Sequence, residues 1–223
     1  NIFMKENITP QTIFLHNCFM DMIRTADCRI LDKCAFQIRE VHSTTRNYVN
    51  SFTDNNVRAL LQRIFQNGIT RINFNRVVYC LFQTKGCKNS KYLGKIFPEQ
   101  KQVKEIPIML IQVSYFFELR WQGNASLDYV DSLSDLIPEE FRKLIISTFM
   151  KALLKMMQAW KYHTLFMWIA PPGYDEDGQL IEYIFRGRPR DSLAPMPLWK
   201  LKNWYITIFD SLPLTHFDLM NYF

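Results

Sequence analysis

The chain has 223 residues, 48% hydrophobic and 22% charged, with a formal charge of +6 and a pI near 9.0. That apolar content is enough for one sizeable core with an appendage, and 7 glycines and 10 prolines without repeats or low-complexity tracts exclude a disordered or solenoid chain. The positive balance favours a polyanionic partner, and charge alone does not choose among nucleic acid, anionic lipid and a phosphate-rich cofactor.

Residues 1–50 show no clear strand pattern. Phe14, Phe19, Met22 and Ile23 fall on one side of a predicted helix, so this segment reads as an accessory, helical appendage. Cys18, Cys28 and Cys34 lie within it, and with Cys80 and Cys87 they make an odd set lacking any C-x-x-C pair. Such a set points to reduced thiols rather than a disulfide framework or a zinc ribbon. His16 and His42 do not supply the short paired spacing that puts two ligands on one metal, and no metal is expected. The chain opens at Asn1 with no charged and apolar leader and stops at Phe223 after an aromatic-rich run, so a piece of a longer, soluble, intracellular protein is expected.

Ser51, Thr53 and Asp54 offer capping side chains to a helix whose stripe is Val57, Leu60, Leu61, Ile64 and Phe65, ending at Asn67 and Gly68. Strands follow at 69–81 and 106–117, the second buried on both faces, with a turn at 84–90 and a short strand at 92–97 between them. The apolar runs near 106–113 and 165–172 are too short for the ~20 residues of a membrane-spanning helix. A strand end at 127–132 precedes the clearest helix. Phe141, Leu144, Ile145, Thr148, Phe149, Ala152, Leu153, Met156 and Trp160 form its apolar face, with Arg142, Lys143, Lys151 and Lys155 off it. Pro138, Glu139 and Glu140 suit its start, because proline needs no amide partner there and carboxylates favour the positive end of the dipole. Strands at 164–170 and 181–185 and a last helix carrying Trp204 complete the order. The mixture predicts an α/β or α+β domain, a central sheet flanked by helices.

A strand ending at Asp131 and Ser132, followed by a helix opening near Pro138, exposes amides that suit an anion, and Arg142 and Lys143 add cationic charge. No glycine-rich loop or Walker lysine marks a triphosphatase, and none of His16, His42, His163 and His216 accompanies a nucleophile elbow. His163 reads as a helix-to-strand junction. Asp175, Glu176 and Asp177 read either as a solvated loop tip or as an attraction for a basic peptide. Trp168, Trp199, Trp204 and Tyr205 taken singly read as core aromatics.

Taken together these tracts carry a resemblance. Tyr129, Val130, Asp131 and Ser132, then Arg142, then Trp168, Ile169, Ala170, Pro171 and Pro172, then Tyr183, Ile184 and Phe185, then Trp204 and Tyr205 recur in order and spacing. In this the chain resembles the catalytic domain of the CREB-binding-protein family of histone acetyltransferases. The similarity covers roughly residues 51–210, with weaker support from Tyr92, Leu93, Gly94 and Lys95, and divides the chain into an accessory 1–50 and an acetyltransferase-like 51–223.

The resemblance implies a central, largely antiparallel sheet packed with helices, using acetyl-coenzyme A. It implies that Val130, Asp131 and Ser132 line the thioester and pantetheine channel, that Arg142 holds phosphate beside Lys143, and that Pro195, Lys200 and Trp204 flank the cofactor. Trp168 would shape a tunnel for the acceptor lysine and Tyr205 would be the general acid. No metal is implied. Acceptors would be histone tails or other nuclear proteins, with transcription factors as further partners and a nuclear location. Separately, the short apolar runs argue against membrane attachment, and a basic nucleic-acid-binding domain, suggested by the +6 charge, is a weaker third reading because no aromatic-basic recognition motif supports it. The chain departs from the family where Lys143 replaces a small hydroxyl residue, Ile146 a tyrosine, Ala170 a cysteine, Pro195 an aliphatic residue and Lys200 an arginine. An acetyltransferase fold kept as an interaction module is therefore the alternative expectation.

Overall fold

The computed structural model describes residues 9–42, 76–85, 106–115, 123–132, 139–167 and 198–212. Helices α1 (Pro10–Ala26) and α2 (Arg29–Lys33) lead into strand β1 (Ala35–His42), followed by β2 (Arg76–Lys85), β3 (Ile106–Tyr115) and β4 (Asn124–Ser132). Helix α3 (Glu139–Ala159), strand β5 (Thr164–Met167) and helix α4 (Leu198–Asp210) complete the described elements. The five strands form one sheet in the order β1-β2-β3-β4-β5, antiparallel from β1 to β4 and parallel between β4 and β5. Parallel neighbours need a crossover, and α3 lies in the connection between them. This is the expected α+β architecture, a mostly antiparallel sheet with flanking helices.

Strand β3 is buried on both faces, as its unbroken apolar run predicts: Ile108, Met109, Leu110, Ile111 and Val113 are all sealed from solvent. Helices α1 and α3 cover one face. Phe19 of α1 meets Phe36 of β1 edge-on at 5.5 Å and Phe149 of α3 at 6.0 Å, tying three elements at one ring. The buried stripe of α1 is Thr12, Leu15, Phe19 and Ile23, so Phe14, expected inside, instead stands 37% exposed and leans on Trp160. Leu15 takes the inward place because the i, i+4, i+8 series through Phe19 and Ile23 runs through it. Helix α3 buries Phe141, Ile145, Thr148, Phe149, Ala152, Leu153 and Met156 of its predicted face and also Met150, Leu154 and Met157, while Leu144 and Trp160 are half-buried.

Two boundaries differ from expectation. Among the described residues β2 runs from 76 through 85, so Thr84 and Lys85, expected to begin a turn, belong to the strand and Lys85 pairs with Ala35. Residues 35–42, expected to have no strand, form the edge strand β1. Its inward series is Phe36, Ile38 and Glu40, and an acid at the third position hides the apolar alternation. Glu40 is buried because hydroxyls serve it: Thr9 donates to its Oε2 at 2.5 Å, and Thr12 donates to the same oxygen. Thr9 also caps α1 by accepting from the Thr12 amide at 3.2 Å. Helix α1 and strand β1 thus belong to the same sheet and core as the later elements. The expected helix around Val57 to Phe65, the strand at 92–97 and the strand at 181–185 lie outside the described residues.

Candidate functional site

Strand β4 is irregular at its middle. Gln112 pairs with Tyr129 and Val113 with Leu127, so Asp128 is an extra residue, a β-bulge. A bulge bends its strand and increases local twist, and bulges concentrate beside active sites. This one lies where the described part of β5 stops, with Met167 paired to Leu127. Beyond it, Val130 pairs with Ile111, Asp131 with Leu110 and Ser132 with Met109. Pairing parity puts Val130 and Ser132 on the face that α1 and α3 cover, and both are half-buried.

Helix α3 opens seven residues after Ser132 with Glu139 and Glu140 exposed in its first turn. Lys33 of α2 reaches Glu140 at 3.0 Å and stands 5.2 Å from the centroid of the Phe141 ring. With both side chains of that ion pair more than half exposed, it contributes little stability. Arg142 is half-buried one residue further on, and its Nε is buried with no hydrogen-bond partner among the described residues. An unserved guanidinium N–H is costly unless something accepts from it, and carboxylate or phosphate oxygens are the acceptors its planar fork fits. Lys143 beside it is exposed.

Helix α4 packs on α3 and carries the last set. Tyr205 is 8% exposed, its ring 4.8 Å from Trp204 in an edge-on contact and stacked on Phe209 at 6.2 Å. Trp204 is half-buried against the same core. Lys200 points its ammonium over the exposed Trp199 ring at 5.5 Å. Trp168 and Pro195 lie outside the described residues, as does the acidic run at Asp175, Glu176 and Asp177.

No family model matches the chain, and no curated protein matches it. The structure itself brings Val130 and Ser132 to one strand end, Arg142 and Lys143 to the helix start that follows it, and Trp204 and Tyr205 together on α4. The bulge at Asp128 was not foreseen, because a bulge shows only in the pairing of two strands. Among the described residues Cys18, Cys28, Cys34 and Cys80 form no disulfide, and no cluster of three or more metal-ligating side chains exists. Burial pushes the Cys80 thiol up, which makes it unreactive. His163 stands at the junction between α3 and β5, where its side chain lies against Gly123. No helix among the described residues is long and apolar enough to cross a membrane.

Proposed function

We propose that the chain is an acetyl-coenzyme A-dependent protein lysine acetyltransferase of the CREB-binding-protein type, acting in the nucleus on histone tails or other lysine-bearing proteins. The observation that carries the reading is the Arg142 guanidinium, whose buried Nε has no hydrogen-bond partner among the described residues and sits in the first turns of a helix that follows a bulged strand. A phosphate-bearing ligand fits this donor set, since helix-start amides and guanidinium both donate to anionic oxygen. Bound there, acetyl-coenzyme A would supply the acyl thioester.

The remaining roles belong to this chain's own groups. By the resemblance, Val130, Asp131 and Ser132 would line the ligand at the strand end, Arg142 and Lys143 would hold anionic charge, and Pro195, Lys200 and Trp204 would flank the ligand. A lysine amine with pKa near 10.4 costs about 4 to 5 kcal/mol to deprotonate at neutral pH, so the tryptophan-walled tunnel that the resemblance assigns to Trp168 would favour the neutral nucleophile. The phenol of Tyr205 would donate a hydrogen bond to negative charge on the thioester sulfur. Direct attack by the amine needs no covalent acyl-enzyme, in keeping with Ala170 at the position of the family's cysteine.

Calorimetry with coenzyme A, together with transfer of labelled acetyl groups to a histone-tail peptide, tests the reading. Binding and transfer together support it, and the absence of both sinks it. A second reading, a non-catalytic module that keeps the fold for protein contacts, is favoured by one observation: Tyr205 is packed between Trp204 and Phe209 with little exposed surface. Coenzyme A binding without acetyl transfer would select it.

A further inference from the structure

The antiparallel pair of α1 and α3 leaves an apolar and basic seam at one end. Phe14 of α1 meets Trp160, just past α3, edge-on at 5.4 Å with 75° between rings, while Phe19 meets Phe149 midway along. Ile13 is 49% and Phe14 37% exposed, two of the four large apolar side chains that the described residues present to solvent. The flank is cationic. Lys143, Lys151 and Lys155 follow the outer line of α3 at multiples of four residues, and Lys161 comes just after the helix. Lys155 lies near enough to the α1 thiol of Cys18 to oppose the upward push of its burial. No acidic residue occurs between positions 141 and 173, nor in α1 before Asp21. Asp21 is itself paired with Arg24 at 2.7 Å. Lys151, Lys155 and Lys161 form no ion pair with a carboxylate among the described residues.

We infer that this seam docks an acidic peptide segment bearing apolar side chains, laid as a helix across the Ile13, Phe14 and Trp160 end of the α1 and α3 pair. Two packed helices present a groove that a third helix fills with apolar residues at i, i+3 and i+4 spacing. Unneutralised lysines beside that groove select carboxylates on the incoming segment and speed its encounter. A nucleic acid is disfavoured because the two rings stand edge to face, leaving no flat row on which successive bases stack. A membrane surface is disfavoured because two exposed apolar side chains bury too little area to anchor a helix pair in lipid.

The probe is a synthetic helical peptide with Leu and Phe on one face and Asp and Glu on the other, followed by NMR on the intact chain. Its binding shifts the Trp160 indole N–H resonance, assigned by its loss in Trp160→Phe. Affinity falls about tenfold or more in Phe14→Ser, in Lys151→Glu with Lys155→Glu, and when the peptide's Leu and Phe are replaced by Ser. The inference is overturned by no shift at Trp160, by equal binding of the Ser-substituted peptide, or by tighter binding of single-stranded oligonucleotide or anionic vesicles at the same sites. Circular dichroism of the folded variants separates lost docking from lost structure.

Discussion

The hydroxyls of Tyr79 and Tyr115 share a 2.6 Å hydrogen bond on the buried, helix-covered face of the sheet, with Glu40 paired opposite Tyr79 on β1. Burial pushes both phenols well above the ordinary tyrosine range, so the native state keeps protons that the unfolded chain releases near pH ~10. Stability from these groups is therefore whole below about pH 10 and drains away as pH rises beyond it, by up to about 1.4 kcal/mol per pH unit for each phenol. Urea unfolding of the native chain and of the Tyr79→Phe, Tyr115→Phe double variant above about pH 10 should show a shallower fall for the variant. Parallel curves would contradict the assignment.

Thr12 donates to a buried carboxylate, and a hydroxyl bond to a charged acceptor is worth roughly 1.5 to 3 kcal/mol. Thr12→Val keeps the shape and removes the donor. It should lower unfolding free energy by that order, whereas Thr9→Ala loses both a carboxylate donor and the α1 cap. The urea midpoints of the two variants decide this.

Phe19 is fully buried among α1, β1 and α3. Phe19→Ala should cost about 3 to 5 kcal/mol, as for other large core truncations. A loss confined to the helicity of the first 42 residues, with the rest unfolding at the native midpoint, would show that this segment does not share the core.

Gly123 has φ +83, and a Cβ there would lie 2.3 Å from His163 Nε2. Gly123→Ala should be destabilising by about 1 to 3 kcal/mol through backbone strain and the clash. Adding His163→Ala should recover the clash and leave the strain, so thermal unfolding of the pair should fall between native and single variant.

If Lys200 flanks the cofactor, Lys200→Arg should tighten coenzyme A by a few-fold, since a planar fork grips phosphate better than a point charge. Tyr205→Phe should leave that affinity unchanged and lower acetyl transfer by about 100-fold or more. Equal loss of affinity and turnover in Tyr205→Phe would instead assign the tyrosine to packing.

Some elements were plain from local pattern. Helix α3 announced itself through Phe141, Ile145, Thr148, Phe149, Ala152, Leu153 and Met156, and β3 through its unbroken apolar run, because each buries enough side chains in one period to outweigh local noise. Strand β1 did not, because Glu40 occupies an inward position and its partners, Thr9 and Thr12, come from a different element. The order of residues from Tyr129 to Tyr205 suggests a cofactor site, but nothing in that order tells that Arg142 Nε is buried with no partner among the described residues or that Tyr205 is almost closed off.

The sequence by itself determined the class of the domain, the helix with the strongest periodicity, the strand with the unbroken apolar run, and the candidate residues by type and interval. Those are properties of short windows, where side-chain period and propensity act without reference to distant chain. Tertiary structure alone decided that β1 pairs with β2 at the edge of the sheet, that Asp128 bulges β4 next to the Leu127 that pairs with Met167 of β5, and that Lys33 meets Glu140 across 107 residues. Strand partners, buried hydrogen bonds and the exposure of a ring depend on what packs against them, and that is settled only when separate windows share one core.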